Sequence, residues 1–194
     1  MSQCLYLIRH GKALHNELYE IIGVHAFRAP EVIDSPLTNV GHQQARVLAE
    51  TIHEKNIDLV LVSPLMRALQ TAHGIFKDTN IPIRCLECLR EYPIGEDTCN
   101  QRSDISLLRV RFPRIDFSKI EIDEDILWTE TRETRENLQK RVDEAKRYIK
   151  TLPETKIAVV SHNGFIGQLK DKHISYMENG EQDLKHCEPY EYKM

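Results

Sequence analysis

The sequence predicts an α/β fold, a single-domain three-layer α/β/α sandwich whose central sheet is mostly parallel with one antiparallel edge strand. Short apolar runs suited to strands buried on both faces alternate with segments of helical periodicity. A length of 194 residues suits one hydrophobic core. Hydrophobic residues at 41% and charged residues at 29% are typical of a globular protein.

The predicted strands are apolar runs that each end at a polar or chain-breaking residue. They are residues 4–8, 57–64, the segment PIRCLEC (82–88), the start of 156–167, which breaks at His162-Asn163-Gly164, and an edge strand in the tail KHCEPYEYKM. Strand periodicity places Cys85 and Cys88, a lone C-x-x-C, on opposite faces of the sheet, which disfavours a metal or redox role for this pair.

Predicted helices occupy the segments between these strands. Apolar residues at i, i+3, i+4 and i+7 indicate helices over 41–56 and 133–151. Pro64 suits a helix start, so a helix is expected to follow it. Residues 92–133 carry prolines and alternating charges without periodicity, and we expect them to form a small insertion over the sheet and the site within one domain spanning 1–194.

Charge and composition exclude several function classes. A net charge of -4 and a pI near 6.1 argue against a nucleic-acid or membrane-surface binder. No 18-residue apolar stretch and no signal-peptide pattern are visible, and the five cysteines are scattered. These features predict a cytoplasmic protein in a reducing compartment.

Two of the predicted strands end in a histidine that is followed by glycine within two residues, in LIRHG (7–11) and VVSHNG (159–164). In a parallel sheet, ligands bind beyond the carboxyl ends of the strands. A third strand leads into a helix that carries Arg67. Cations and helix N-termini would form a donor-rich cup suited to phosphate. The alternative for one such motif alone is a structural histidine beside a helix-start glycine.

The Arg9-His10-Gly11 triplet has the chemistry for phosphate transfer. Gly11 permits close backbone approach, and Arg9 offers a fork of donors that matches phosphate oxygens. Neighbouring cations would keep His10 neutral and nucleophilic. Its other ring nitrogen would need an acceptor, such as a backbone carbonyl, to fix the tautomer.

Beyond these two motifs, several segments follow in a recognisable order. They are LIRHG with Asn16 six residues past the histidine, DSPLTNVGHQQA (34–45), SPLMRALQTA (63–72), LRE (89–91) and VVSHNG. This set resembles the histidine phosphatase superfamily, the phosphoglycerate mutase-like group with the RHG motif. The resemblance runs from about residue 4 to 167 and, loosely, into the C-terminal strand.

The resemblance implies a two-step transfer through phosphohistidine that needs no metal and no cofactor. His10 would attack phosphorus, while Arg9, Arg67 and a cationic His162 would hold the phosphoryl oxygens. Asn16 would add a neutral donor.

Glu91 would be the acid and base of the reaction, and Glu87 is the nearby rival. Nearby cations should lower the pKa of Glu91, and a bound phosphate should raise it.

Substrate contacts are expected from the insertion and from residues flanking the motifs. Asn100 and Arg102 would bind a carboxylate or a second phosphate, although a surface role for Arg102 is equally open. Gly11 and Asn163 would contact the substrate, and His186 in the tail is a supporting candidate. The other histidines are expected to be solvated; they are His15, His25, His42, His53, His73 and His173.

The expected partner is a small phosphorylated metabolite, with a homodimer left open. Phosphatase activity is favoured because the mutases of the family are longer, and phosphoserine is the leading substrate. The alternatives are a phosphoglycerate mutase, a phosphatase for sugar phosphates such as fructose bisphosphate, and a phosphate-binding module without turnover.

Overall fold

The computed structural model describes residues 2–171 and 184–194. Its core is a six-stranded sheet in the order β4-β3-β2-β5-β1-β6. All pairs are parallel except β1 with β6, which confirms the predicted antiparallel edge strand. The strands are β1 (Cys4–Arg9), β2 (Leu59–Val62), β3 (Ile83–Cys85), β4 (Ile115–Asp116), β5 (Lys156–Ser161) and β6 (Pro189–Lys193).

Six α-helices and several short 3-10 turns connect the described strands. The helices are α1 (Leu14–Ile22), α2 (Asn39–Thr51), α3 (Met66–Phe76), α4 (Ile105–Arg111), α5 (Arg135–Lys150) and α6 (Asn163–Asp171). Thr38 and Thr134 cap α2 and α5, because each hydroxyl accepts a backbone N–H from the first turn. No helix in the described part of the chain is long and apolar enough to cross a membrane.

Alternation along the central strands builds two cores, one on each face of the sheet. Along β1, Tyr6 and Ile8 pack with α2, α3 and α4, whereas Leu5 and Leu7 pack with α5 and α6. Both faces of the sheet are therefore covered, which is the predicted three-layer sandwich and explains why β1, β2 and β5 are almost uniformly apolar.

Segment 92–133 has more structure than predicted. It contains α4, and its strand β4 pairs in parallel with β3, so the insertion extends the sheet instead of only covering it. The predicted strand PIRCLEC ends early, because its backbone turns into a 3-10 turn at Glu87–Leu89. Cys85 and Cys88 still belong to the two different cores, although Cys88 lies in this turn and not in the strand.

Helix α1 was not predicted from the sequence. Its start has no Ser, Thr or Asp cap, and Asn16 inside the first turn accepts the N–H of Ala13 instead. This helix follows directly after the RHG triplet, so its first turn packs beside the candidate site.

Candidate active site

The carboxyl ends of three neighbouring strands form the base of the site. His10 follows β1, His162 follows β5, and Ser63 follows β2. The rings of His10 and His162 lie 5.0 Å apart between centroids. Arg67, in the first turn of α3, completes the cup. The two strand-end histidines thus converge as the sequence argument requires.

His10 is held in one tautomer. Its Nδ1 lies 2.7 Å from the carbonyl oxygen of Gly11, so Nδ1 carries the proton and donates. Its Nε2 accepts a hydrogen bond from Nε of Arg67 at 3.2 Å. Burial, followed by the charge of Arg67, holds the pKa of His10 well below its ordinary value. The residue is therefore neutral, with its nucleophilic lone pair on Nε2.

Gly11 is needed for packing. A Cβ at this position would lie 2.6 Å from the carbonyl oxygen of Gly41, and a Cβ at Gly41 would lie 2.2 Å from that of Lys12. The amide of Gly11 donates to Oγ1 of Thr71, so it is not directed at a ligand. The predicted close backbone approach exists, but the partner is the N-terminus of α2 instead of a substrate.

Asn100 orients Arg67. Arg67 is 1% exposed, and its Nη1 and Nη2 donate to the carbonyl of Cys99 and to Oδ1 of Asn100, each at 2.7 Å. The amide nitrogen of Asn100 donates to the carbonyl of Pro93. The contacts of Asn100 in this structure are therefore those of a residue that positions Arg67.

Arg9 and Asn163 both bind the start of the C-terminal segment. Nη1 of Arg9 donates to the carbonyl of Leu184 at 2.7 Å, and the amide of Leu184 donates to Oδ1 of Asn163 at 3.1 Å. His186, in the same segment, binds the carbonyl of His10 through Nδ1 at 2.6 Å. Burial and then Arg9 lower the pKa of His186 to about 4. The tail therefore contributes to the wall of the cup.

Burial favours the neutral form of His162, whereas the resemblance implies a cation during phosphoryl transfer. The residue is fully buried, with Nε2 located 2.8 Å from Oγ of Ser63. Burial, then the charge of Arg67, holds its pKa well below the ordinary value. Two buried imidazoles close to fixed guanidiniums cannot both be protonated unless an anion offsets the charge.

Glu91 caps the helix that follows His162. Its Oε1 accepts the backbone N–H groups of Tyr92, Gly164 and Phe165 at 2.7, 3.0 and 3.3 Å. A Cβ at Gly164 would lie 2.8 Å from this oxygen, which explains the glycine of the HNG motif. Burial raises the pKa of Glu91 despite these donors and the nearby arginines, so the expected lowering by cations is outweighed.

Asn16 is hydrogen-bonded to two neighbours on α1 and the segment before it. Its Oδ1 accepts from the amide of Ala13, and its Nδ2 lies 3.1 Å from Nε2 of His15. The ring of His15 lies 6.0 Å from that of His10, and the residue is only 6% exposed, so the expectation that it is solvated was wrong. No local pattern marks His15, because the contact is with β1 and with the 3-10 turn that follows α1.

Protein groups hold the guanidinium of Arg102, so the structure gives no support to the predicted substrate contact. Its guanidinium pairs with Glu87 and donates to backbone carbonyls of residues 103 and 122–124. Nη1 and Nη2 of the neighbouring Arg90 donate to the two carboxylate oxygens of Asp125, each at 2.7 Å. These contacts fasten the insertion to the sheet. They also engage Glu87, the rival acid, away from the cup.

Of the other histidines that were expected to be solvated, three are exposed, one is half-buried and one is not described. His25, His53 and His73 are exposed and His42 is half-buried, whereas His173 lies outside the described residues. Within residues 2–171 and 184–194, no cluster of three or more His, Cys, Asp or Glu side chains could hold a metal ion.

Comparisons with known proteins identify the family. The sequence profile of the histidine phosphatase superfamily (branch 1) matches residues 5–186. The chain belongs to the histidine phosphatase superfamily. The phosphoglycerate mutase-like protein 1 of Arabidopsis thaliana is 34% identical to it, over 84% of this chain and 68% of the plant protein.

Solved structures of superfamily phosphatases share the fold. A phosphoserine phosphatase from Entamoeba histolytica, in complex with 3-phosphoglyceric acid, is 26% identical with a TM-score of 0.52, covering 84% of this chain and 76% of that one. The ecdysone phosphate phosphatase of Bombix mori, in complex with tungstate, is 17% identical with a TM-score of 0.61, covering 99% and 88%. The second likeness is one of fold alone.

Proposed function

We propose that this superfamily member is a metal-independent phosphomonoesterase that transfers the phosphoryl group of a small metabolite to His10 and then to water. One observation carries the proposal: a buried, neutral His10 whose Nδ1 is fixed by a carbonyl and whose Nε2 faces a buried guanidinium. A neutral imidazole that is already oriented is the form required for attack on phosphorus.

In the first step, the anion would engage Arg67, Arg9 and His162. When the guanidinium of Arg67 binds the phosphoryl oxygens, its hydrogen bond to His10 Nε2 is broken. The lone pair of Nε2 is then free to attack phosphorus in line. The N–P bond forms as the bond from phosphorus to the ester oxygen breaks. A bound dianion also raises the pKa of His162, so that ring gains a proton and becomes the cation that the family resemblance implies.

Glu91 would supply the proton to the departing alkoxide. Its Oε1 is occupied by three backbone N–H groups, which leaves Oε2 to carry a proton. The pKa of this carboxyl is raised by burial, and a phosphate dianion would raise it further. In the second step the Glu91 carboxylate takes a proton from water as the water oxygen bonds to phosphorus. The N–P bond breaks, its electron pair returns to His10 Nε2, and inorganic phosphate leaves.

The substrate class is a monoester held mainly by its phosphoryl group. Arg102 and Arg90, which lie in or beside the insertion, are bound to carboxylates and carbonyls, so they offer no second anionic subsite. Phosphoserine remains the first compound to test, because a phosphoserine phosphatase is among the similar solved structures. Its carboxylate would need a cation other than Arg102.

The experiment is a phosphate-release screen with p-nitrophenyl phosphate, phosphoserine, phosphoglycerates and sugar phosphates in the presence of a chelator. His10→Asn keeps an amide nitrogen in place of Nδ1 but removes the nucleophile, so turnover should fall by at least about 10⁴-fold. His73→Asn, on the exposed face of α3, is the matched control and should retain full activity. Acid-labile ³²P should be trapped on the wild-type protein and not on His10→Asn.

Each competing function has its own result in this experiment. A requirement for added metal would contradict the mechanism. Phosphate binding without release or phosphoenzyme would identify a non-catalytic module. Transfer of ³²P to added phosphoglycerate faster than to water would identify a mutase.

A further inference from the structure

His15 is a buried imidazole inside the cup to which the mechanism above gives no role. It lies in the first turn of α1, with its ring 6.0 Å from the ring of His10 on one side and 6.0 Å from Phe27 on the other. The stack of Tyr19 on Phe27 closes that outer side. The ionisable groups that act on the His15 imidazole are Arg67, Arg9 and His186, all at the cup.

The neighbouring Asn16 determines which nitrogen of His15 carries the proton. The amide of Ala13 can only donate, so the atom of Asn16 located 2.9 Å from it is the oxygen. The other end, Nδ2, therefore donates to Nε2 of His15 at 3.1 Å. Nε2 is then the acceptor, and the proton of the neutral ring is on Nδ1.

This Nδ1–H is a donor without an acceptor. Nδ1 of His15 is fully shielded from solvent and has no hydrogen-bond partner among the described residues. Buried polar groups are nearly always hydrogen-bonded, and an orphaned buried donor therefore points to a ligand or a functional role. Burial, and then Arg67, Arg9 and His186, hold the pKa of His15 well below its ordinary value, so the ring remains a neutral donor.

We propose that His15 binds the transferred phosphoryl group through Nδ1–H, in the tautomer that Asn16 fixes. The inference rests on the proposed function, since it deepens the description of the same site. It also gives Asn16 a role that follows from its contacts: a positioning residue for a donor located beside the nucleophile.

Two amide substitutions separate the nitrogens of His15. His15→Gln can present an oxygen to Asn16 where Nε2 was, but it has no donor at the place of Nδ1. His15→Asn places an amide nitrogen near Nδ1 and loses the contact to Asn16. His53→Gln, at an exposed position, is the matched control.

The readouts are the affinity of inorganic phosphate and of orthovanadate by calorimetry, and kcat/KM for p-nitrophenyl phosphate. His15→Gln should weaken anion binding by about 10- to 100-fold, as expected for a lost hydrogen bond to a charged group. His15→Asn should recover a substantial part of that loss, and His53→Gln should match wild type. Circular dichroism and the thermal midpoint confirm that each variant is folded.

A measurement on the wild-type protein covers the case in which a variant does not fold. Imidazole ¹⁵N chemical shifts should identify Nδ1 of His15 as protonated at neutral pH, and this signal should move when phosphate is added. An unprotonated Nδ1, or a signal unaffected by saturating phosphate, would overturn the proposal.

The result separates this inference from the proposed function. If His15→Gln binds phosphate like wild type, or if both substitutions weaken binding equally, His15 has only a structural role. The phosphoenzyme on His10 would then stand unaffected. If wild-type protein neither binds phosphate nor forms a phosphoenzyme, the proposed function fails, and this inference fails with it.

Discussion

Two clusters of buried arginine, one in the cup and one at the root of the insertion, are treated in opposite ways. At the insertion, Arg90 binds Asp125 and Arg102 pairs with Glu87. In the cup, the hydrogen-bond partners of the Arg67 side chain are an imidazole, a backbone carbonyl and an amide oxygen, all neutral. The positive charge of the buried arginines is thus neutralised by carboxylates at the insertion, whereas in the cup it remains available to a ligand.

This difference separates a structural contact from a binding site. Burying a charge is costly unless a partner of opposite charge is supplied, and the insertion supplies one. In the cup no carboxylate is hydrogen-bonded to Arg67 among the described residues, so a substrate anion can provide the opposite charge. The cost is lowered there because the neighbouring imidazoles remain neutral.

Acidification is expected to have the largest effect, and it should act on the cup first. Four histidines of the cup have lowered pKa values, so below pH 6.5 the unfolded chain binds more protons than the folded protein. Their stability contribution is present above pH 6.5 and is lost as pH falls toward 4. The free energy of unfolding should therefore decrease steadily as pH falls over this range.

Urea unfolding at pH 7, 6, 5 and 4, with and without saturating orthovanadate, measures this effect. The ion pairs of the insertion should begin to lose their stabilising effect only at a lower pH than the histidines do. Burial alone would raise the pKa of Asp125, but its hydrogen bonds to Arg90 hold it below the ordinary value, so its stabilisation is lost below about pH 3.8. A flat stability profile between pH 7 and 4 would contradict the assignment of neutral histidines.

Breaking the ion pair of the insertion is the next largest effect. Asp125→Asn removes the bidentate carboxylate of Arg90 and leaves its guanidinium only one carboxylate contact among the described residues, that to Glu87, which should cost about 3 kcal/mol of unfolding free energy. Glu124→Gln is the control, because that side chain is exposed and should change stability little. Denaturant titration measures both. A loss of activity in Asp125→Asn without a loss of stability would place this pair in the site.

The smallest expected effect comes from giving Arg67 in the cup a carboxylate partner, as the arginines of the insertion have. Asn100→Asp places a carboxylate beside Arg67, which should neutralise the guanidinium and lower kcat/KM for p-nitrophenyl phosphate by about 10-fold or more. Asn39→Asp, at the exposed start of α2, is the matched control. Unchanged kinetics in Asn100→Asp would show that the charge of Arg67 is not what binds the anion.

The parts of the site that could be predicted are those carried by continuous segments. LIRHG and VVSHNG each contain an apolar strand, its end and the histidine that follows, so the position of His10 and His162 depends only on the two strands being neighbours. Helical periodicity likewise located α2 and α5, and Pro64 located the start of α3, to within a few residues. The strand β4 inside the insertion was too short to give a pattern.

The sequence by itself therefore determined the layered sheet, the ends of its central strands and the histidines placed there, because apolar periodicity is a local property of the chain. Only the tertiary structure decided which buried arginine meets a carboxylate and which imidazole loses its solvent. Arg102 and His15 show this, since the partners of each are brought to it by other segments of the fold, and their charge and protonation depend on those partners.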